Sequence, residues 1–568
     1  MAFNISGASI RNPIPSLVLF AVLLVLGIGA FRVLPITNSP NIDIPVVTVT
    51  VTESGAAPAE LESQVTKKVE DAVASINGVK HITSTITDGV SLTEIELRLE
   101  ISSDRALNEV RDAISTIRAE LPRTIDEPII QRVDFSSQPI QTYAASAPGM
   151  TLEQLSWFVD DTIARDLQGL RGVGRVQRIG GVTREVQVTL DPDRLSALGI
   201  TAGAVNAQVQ QTSVDLAGGR AELGAREQII RTLAGATTIK ALANTRIVLP
   251  GGREVRLQDL GTVSDGAEEA RTFARLDGKT PVVAFRISRS KNASEVDVAR
   301  RVSERLKVLA ASHPDVSYTL IDDYVRYSVG GYNSAMEALI EGAVLATLVV
   351  LIFLRDWRAT LLSAVALPLS VLPAFAVMLA MGFTLNFISL LAITLVTGIL
   401  VDDAIVEIEN IVRHIRMGKR PYDAAIEAAD EIGLAVIAIT LTICAVFAPV
   451  SFMGGIAGQY FKQFGLTVAA AVLCSLLVAR LVTPLMAAYL LRPHAAAHAE
   501  REGPMVRAYT RFLAMTLRHR GLTLLAGLVL FALSIWSTSL LPTSLIPPED
   551  QSRAVLAIEL PPGSRLDD

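Results

Sequence analysis

Long apolar runs bracket one long stretch of soluble character in this chain. Seven runs reach membrane-spanning length: residues 16–34, 336–354, 361–381, 385–411, 434–453, 466–491 and 522–541. Between the first two the pattern is that of a soluble α+β region. From Val46 it predicts a strand, a helix over 57–76, a turn at Asn77-Gly78, a hairpin and a helix over 104–119. The hairpin's second strand, 94–100, alternates strictly, as a sheet with one wet face requires. A second copy follows, with a strand over 140–145, a helix opened by a capping box at Thr151 and Gln154, and the glycine turn Gly172-Val173-Gly174. A hairpin with Gly180-Gly181 at its tip and a helical stretch over 201–211 complete it. Two α/β sandwiches of split βαβ type are expected. A small β-rich subdomain is inserted at about 205–265, and a helix capped at Asn292 with Glu295 and a strand over 316–321 lead back to the apolar runs.

The basic residues orient these runs. Arg355 and Arg358 follow the second run, Arg413, Arg416, Lys419 and Arg420 the fourth, and Arg492, Arg501, Arg507, Arg511, Arg518 and Arg520 the sixth, whereas the connections after the third and fifth carry only Lys462. By the positive-inside rule the amino terminus is cytoplasmic and 35–335 lies across the membrane. The expected organisation is a first span over 1–34, a first sandwich over 35–138, a second with its insertion over 139–335, spans two to six over 336–491, a cytoplasmic linker over 492–520, a seventh span over 521–541 and the start of a second soluble loop over 542–568. That last expectation rests on a repeat. LPITNSPNIDIPVVTVTVTESGA begins at Leu34, LPTSLIPPEDQSRAVLAIELPPGSR at Leu541, and each runs from Leu-Pro through further prolines into an alternating strand. The first span therefore reads as a retained helix rather than a cleaved signal.

Composition narrows the class. The chain has 568 residues, 50% hydrophobic and 19% charged, with mean hydropathy +0.41, which describes a mixed membrane and soluble protein. A net charge of -6 and a pI near 5.7 give no basic footprint for nucleic acid. Cys444 and Cys474 both fall in apolar runs and read as small core residues, so no disulfide framework is expected. No phosphate loop, zinc spacing or nucleophile triad is present, so neither enzyme chemistry nor a metal or other cofactor is expected.

The chemistry concentrates in GILVDDAIVEIEN, 398–410, where Asp402 and Asp403 stand inside an apolar run. The pair lies roughly 15 Å from a membrane face at helical rise, about mid-bilayer. Carboxylates at that depth face a protein interior or water cavity and mark ion paths and proton relays. Adjacent helical residues point about 100 degrees apart, so the two can meet different partners in one cavity, and they titrate as a coupled unit. Thr394 and Thr397, one to two turns earlier, either hold relay water or bond back to their own helix. Glu341, in the outer third of the second span, either admits a proton or contacts headgroup water. Glu407 and Glu409 are read as stabilising the cytoplasmic end, Glu409 by pairing with Arg413. Arg480 in the sixth span lies about 16 to 18 Å from the cytoplasmic face, the depth of the aspartates. It either serves them as an auxiliary cation, walls the proton path or snorkels to headgroups.

These residues resemble the resistance-nodulation-division (RND) exporters of bacterial inner membranes. GILVDDAIVEIEN and its basic loop carry the resemblance, supported by the Leu-Pro strand starts, FLRDWRATLLSAVALPLS at 353–370 and the duplicated plan. The resemblance implies proton-driven export of hydrophobic or amphiphilic small molecules of the multidrug type, with Asp402 and Asp403 as the proton-relay carboxylates. It also implies a homotrimer with a periplasmic adaptor protein and an outer-membrane channel, a docking-type role for the inserted subdomain, and lysine and hydroxyl relay partners in a second half. Four departures bear on it: those relay partners are absent from this chain; two aspartates and Met150 as the lone methionine within 35–335 disfavour copper or silver export; Gln177 and Ile179 stand at the turn where drug exporters line a pocket with phenylalanine; and the segment 218–232 is short where an intersubunit arm extends. The competing readings are metal-ion or lipid export, and a non-transporting sterol-sensing-type receptor or scaffold. From the repeat, the gene product is expected to be roughly twice this length, with a second soluble loop and about five further spans. Reading the gene past the codon for Asp568 tests this: a stop codon there, in a strain where this chain alone confers efflux, contradicts it.

Overall fold

The computed structural model of the chain describes residues 5–53, 55–133, 138–212, 216–223, 226–232, 235–270, 272–492, 504–541, 554–558, 560 and 566. It divides into two compact units, one of Met1–Gln138, Lys291–Val296 and Val325–Leu556, the other of Pro139–Ser290, Asp297–Tyr324 and Ala557–Asp568.

The first unit opens with α1 (Ile5–Arg11) and the apolar α2 (Pro13–Val33). Its soluble part runs β1 (Val46–Thr52), α3 (Pro58–Leu61), a π-helical turn, α4 (Lys67–Ala74), β2 (Val79–Thr87), β3 (Val90–Leu97), α5 (Ser103–Ile117) and β4 (Ile129–Arg132). The strands form an antiparallel sheet in the order β2-β3-β1-β4. Val47, Val49 and Val51 alternate inward from β1 and meet Leu61, Val65, Val69 and Val73, one from each helical turn, together with Ala106, Val110 and Ile114 of α5. Period two in the strand and period four in the helices bury a single core.

The second unit opens with β5 (Pro139–Ser146), α6 (Leu152–Trp157), a π-helical turn, α7 (Arg165–Gln168) and β6 (Val173–Ile179). Then come β7 (Arg184–Leu190), α8 (Pro192–Leu198), α9 (Ala202–Thr212), β8 (Leu216–Leu223), β9 (Arg226–Thr232), α10 (Ile239–Ala243), β10 (Arg246–Val248), β11 (Glu254–Arg256), α11 (Leu257–Leu260), β12 (Gly261–Ala267) and β13 (Ala274–Leu276). The unit's sheet resumes at β14 (Thr280–Arg289), followed by α12 (Glu295–Ser312) and β15 (Ser317–Asp323). Its order, β6-β14-β5-β15, repeats that of the first sheet, with everything from β7 to β13 inserted between the second and third strands of the copy. Asp166 of α7 accepts two hydrogen bonds of 2.6 Å from the Arg305 guanidinium of α12, which fasten the two sheet-covering helices and hold the Asp166 carboxyl below the usual range.

Three expectations fail here. The Gly180-Gly181 hairpin does not form: β6 pairs with β14, and β7 pairs with β12 from Leu190↔Gly261 to Arg184↔Ala267. Both glycines have positive φ, 71° and 73°, and a Cβ on Gly181 would come within 2.3 Å of Ser156 Oγ, so they turn a tight corner out of one sheet and into another. Alternation shows that a segment is a strand, whereas its partner is chosen by long-range pairing. The helix over 201–211 also belongs elsewhere, since Val205 of α9 is buried with Leu195, Ile247, Leu249, Leu257 and Leu260 inside the insertion, whose core therefore begins near 195 rather than 205. Asn292 is no helix cap either. It is left-handed at φ 65°, and Glu295 instead accepts hydrogen bonds from Asn38 N at 3.1 Å and Ser328 Oγ at 2.7 Å.

The apolar helices continue the first unit: α13 (Val325–Leu354), α14 (Trp357–Ala380), α15 (Phe387–Arg416), α16 (Pro421–Phe447), α17 (Gly455–Leu477), the π-helical segment Val478–Val482, α18 (Thr483–Leu490), α19 (Pro504–Arg518) and α20 (Arg520–Thr538). Among the described residues, seven helices are long and apolar enough to cross a membrane. α13 and α16 start well before their apolar runs, because helical hydrogen bonding carries on past the edge of the hydrocarbon layer that hydropathy detects. The linker expected over 492–520 contains the amphipathic α19; residues 493–503 lie outside the described ones. So does most of the expected repeat start over 542–568, and the described 554–558 form no strand.

Close approach between helices relies on small side chains. A Cβ on Gly27 of α2 would lie 2.2 Å from Leu372 O of α14, while Gly29, two residues on, has open space. Gly27→Val should therefore cost on the order of 1–3 kcal/mol by overpacking, read as a lowered midpoint of thermal unfolding in nanodiscs, and Gly29→Ala should leave the midpoint in place. Equal midpoints for Gly27→Val and the unsubstituted protein contradict this packing.

Candidate functional site

α15 is the helix the others surround: α13, α14, α16, α17 and α18 all pack against it. Its buried positions recur every three or four residues, through Ser389, Ile393, Val396, Leu400, Asp403, Glu407, Ile411 and His414. Asp403 and Glu407 thus lie on the inward stripe one turn apart. Asp402, turned away by about 100 degrees, is exposed.

Asp403 is 7% exposed, and its Oδ2 accepts a hydrogen bond of 2.8 Å from Ser475 Oγ of α17. Its carboxylate also feels the charge of Asp402. Glu407 is fully buried with neither oxygen hydrogen-bonded. This corrects the expectation that it merely stabilises a helix end. Glu409 does not hold Arg413, which bonds Glu431 of α16 at 2.9 Å. Glu431 also accepts from His414 at 2.8 Å and Asn410 at 3.4 Å, and Lys419 pairs with Glu427, so a polar cluster locks α15 to α16 at this end.

The other end of α15 is fastened too. Asn386 accepts from the backbone N–H groups of Ile388 and Ser389, and its Nδ2 donates to Gln463 Oε1 of α17 at 2.7 Å and to Thr384 Oγ1 at 2.8 Å. Thr384 in turn accepts from Thr37 Oγ1 at 3.0 Å, and Leu385 exchanges backbone bonds with Pro35 and Thr37, so α15 starts on the face where α2 ends.

The other predicted residues divide. Thr394 and Thr397 donate to Leu390 O at 2.9 Å and Ile393 O at 2.7 Å, the back-bonding alternative. Thr397 also borders an apolar groove of about 630 Å³ between α2, α13 and α14, lined by Phe31, Met336, Leu348 and Phe375. Glu341 is exposed on α13. Arg480 is buried, but it forms no ion pair with Asp402 or Asp403; its Nη1 donates to Ala429 O of α16 at 2.6 Å, and the carboxylate its charge reaches is Glu407. The reason is rotational, since depth alone was legible in the sequence and the π-helical turn sets which neighbour Arg480 faces. In the second unit Gln177 and Ile179 line a polar cleft of about 440 Å³ with Asp160, Arg178, Glu268 and Arg286. Sequence reasoning missed Ser475, Glu431, His414, Asn386 and Gln463. Asn386 and Gln463, amides at the edges of apolar runs, are the two that carried a signal.

An apolar bundle wrapped around buried carboxylates, together with sheet-forming soluble segments, defines a polytopic membrane protein. The profile of the AcrB/AcrD/AcrF family matches residues 5–568. The chain belongs to that family, which is one of RND transporters. It is 31% identical over 553 residues to the multidrug resistance protein MdtC of Pantoea ananatis (strain AJ13355), covering 96% of this chain and 54% of that protein. The chain thus spans about half the length of that relative.

Because Ser475 donates to Asp403, Ser475→Ala removes a hydrogen bond to an ionisable group worth about 1.5–3 kcal/mol. The titration midpoint of the Asp403 carboxyl should move by about one unit or more. An infrared pH titration of the buried-carboxyl band checks this, and an unmoved midpoint contradicts it.

Proposed function

We propose that the chain serves proton-driven export of hydrophobic or amphiphilic small molecules across a bacterial cell envelope. It resides in the inner membrane with 35–335 in the periplasm, and works as a homotrimer with a periplasmic adaptor and an outer-membrane channel. The observation that carries the reading is Asp403, enclosed on the inward stripe of α15 and bonded to Ser475. Family membership and the name of the MdtC relative support drug export.

In this reading Asp403 takes its proton from the exposed Asp402 or from water reaching it, and releases it toward the opposite face. A charged Asp403 demands Ser475 and further donors around it, whereas a neutral one does not, so each proton alters how tightly α17 is held to α15. Each charge that crosses is worth about 2.3 kcal/mol per 100 mV of membrane potential. The cleft at Gln177 and Ile179, bordered by acidic and basic side chains, fits amphiphiles that carry charge better than purely apolar drugs.

Replacing Asp402 or Asp403 by asparagine in the transporter as the cell makes it should abolish export, at least tenfold in substrate resistance, while expression and thermal stability hold. Wild-type export by both single variants removes the relay.

A further inference from the structure

One turn past Asp403, Glu407 is completely buried and both its oxygens lack hydrogen-bond partners. An ionised carboxylate in such a place is strongly disfavoured unless a counter-charge offsets its lost hydration. Among the described residues, the charge that acts on Glu407 is Arg480. Yet the two form no ion pair within 4.0 Å. The guanidinium is parked on Ala429 O and lies flat against Gly433, where a Cβ would come within 2.5 Å of Nη2. Arg480 is 8% exposed and stands in the π-helical segment that joins α17 to α18.

The other charged groups on the packed helices are committed or remote. On α16, Glu427 and Glu431 are bonded to Lys419 and to Arg413 and His414, and Asp430 is exposed. On α13, Glu337 and Glu341 are exposed; on α17, Lys462 is exposed; on α14, Arg358 donates to Leu490 O; on α18, Tyr489 donates to Ile10 O. On α15 itself, Asp403 is bonded to Ser475, and Asp402 is exposed.

We propose that Glu407 and Arg480 form a second proton-handling centre, in which Glu407 exchanges a proton while Arg480 moves between the Ala429 carbonyl and the Glu407 carboxylate. The inference rests on the proton-relay reading and deepens it. With Glu407 neutral, Arg480 stays on Ala429, the arrangement observed. When Glu407 releases its proton to water or to an ionised Asp403, the new negative charge draws the guanidinium off Ala429. The π-helical turn, whose hydrogen-bond ladder is already widened, absorbs the displacement. Return of the proton neutralises Glu407, and the guanidinium goes back to Ala429 with no net change in charge over the cycle. Proton occupancy on α15 is thereby converted into making or breaking a contact between the α17–α18 rod and α16. Gly433 supplies the empty space that the guanidinium occupies.

The test uses the transporter as the cell makes it, in proteoliposomes with an imposed pH gradient and a fluorescent amphiphilic cation as substrate. Glu407→Gln should move the pH midpoint of transport by one unit or more and remove one buried-carboxyl infrared band that titrates in the unsubstituted protein. Arg480→Gln should produce a comparable shift alone and little further change in the Glu407→Gln background. The infrared band is read from folded protein and so holds even if the arginine variant is recovered poorly. An unchanged midpoint and band in Glu407→Gln, with Asp403→Asn inactive, overturns the second centre and leaves the relay standing. If Asp403→Asn also transports normally, the relay reading fails as well. A Glu407→Gln variant with lower yield but an unmoved pH profile assigns the residue to packing and equally overturns the proposal.

Discussion

A carboxylate in the hydrocarbon layer has to be taken out of contact with lipid, and much of the described helix arrangement answers that demand. Asp403 and Glu407 are kept on one face of α15, and five helices close over that face. The closure is tight where side chains are small: Ala424, Ala425, Ala428, Ala429 and Gly433 form the buried face of α16, and Gly27 lets α2 touch the α14 backbone. Both ends of α15 are locked by polar clusters, Asn386 with Gln463 and Thr384 at one end, Glu431 with Arg413 and His414 at the other. Between them the polar attachments are sparse. The helix is anchored where it is not needed to respond and lightly held where protons would act.

The soluble segments follow a different constraint, backbone pairing. Both sheets use the same strand order, and the second tolerates a long insertion because β6 and β14 meet side by side regardless of the chain between them. The inserted part has its own small core around Ile247, Leu257 and Leu260, so it folds without borrowing apolar surface from the sheet.

Legibility in the sequence followed the strength of the local signal. Asp402 and Asp403 are conspicuous because ionisable residues inside an apolar run are costly, and the apolar runs themselves give the helices to within a few turns. The capping box at Thr151 and Gln154 is visible because its chemistry is local, and it is present. Ser475 is silent because a serine is unremarked in an apolar helix until its neighbour is known. The same limit governs Arg480 and the Gly180-Gly181 corner: depth and strand character are one-dimensional, but the rotation of a π-helical turn and the choice of strand partner are properties of the packed chain. The weight of Glu407 is not legible in its spacing, which cannot reveal that both its oxygens go without partners.

In the proposed reading, proton movement through the buried carboxylates of α15 drives export. Proton counting tests it: proteoliposomes holding a pH-sensitive dye, no nucleotide, and an outwardly transportable amphiphile supplied on one side. Adding substrate should accelerate proton flux in the opposite direction, a protonophore should collapse substrate accumulation, and both effects should vanish together in Asp403→Asn. Substrate accumulation that persists with the proton gradient collapsed, and without coupled proton flux, would contradict it.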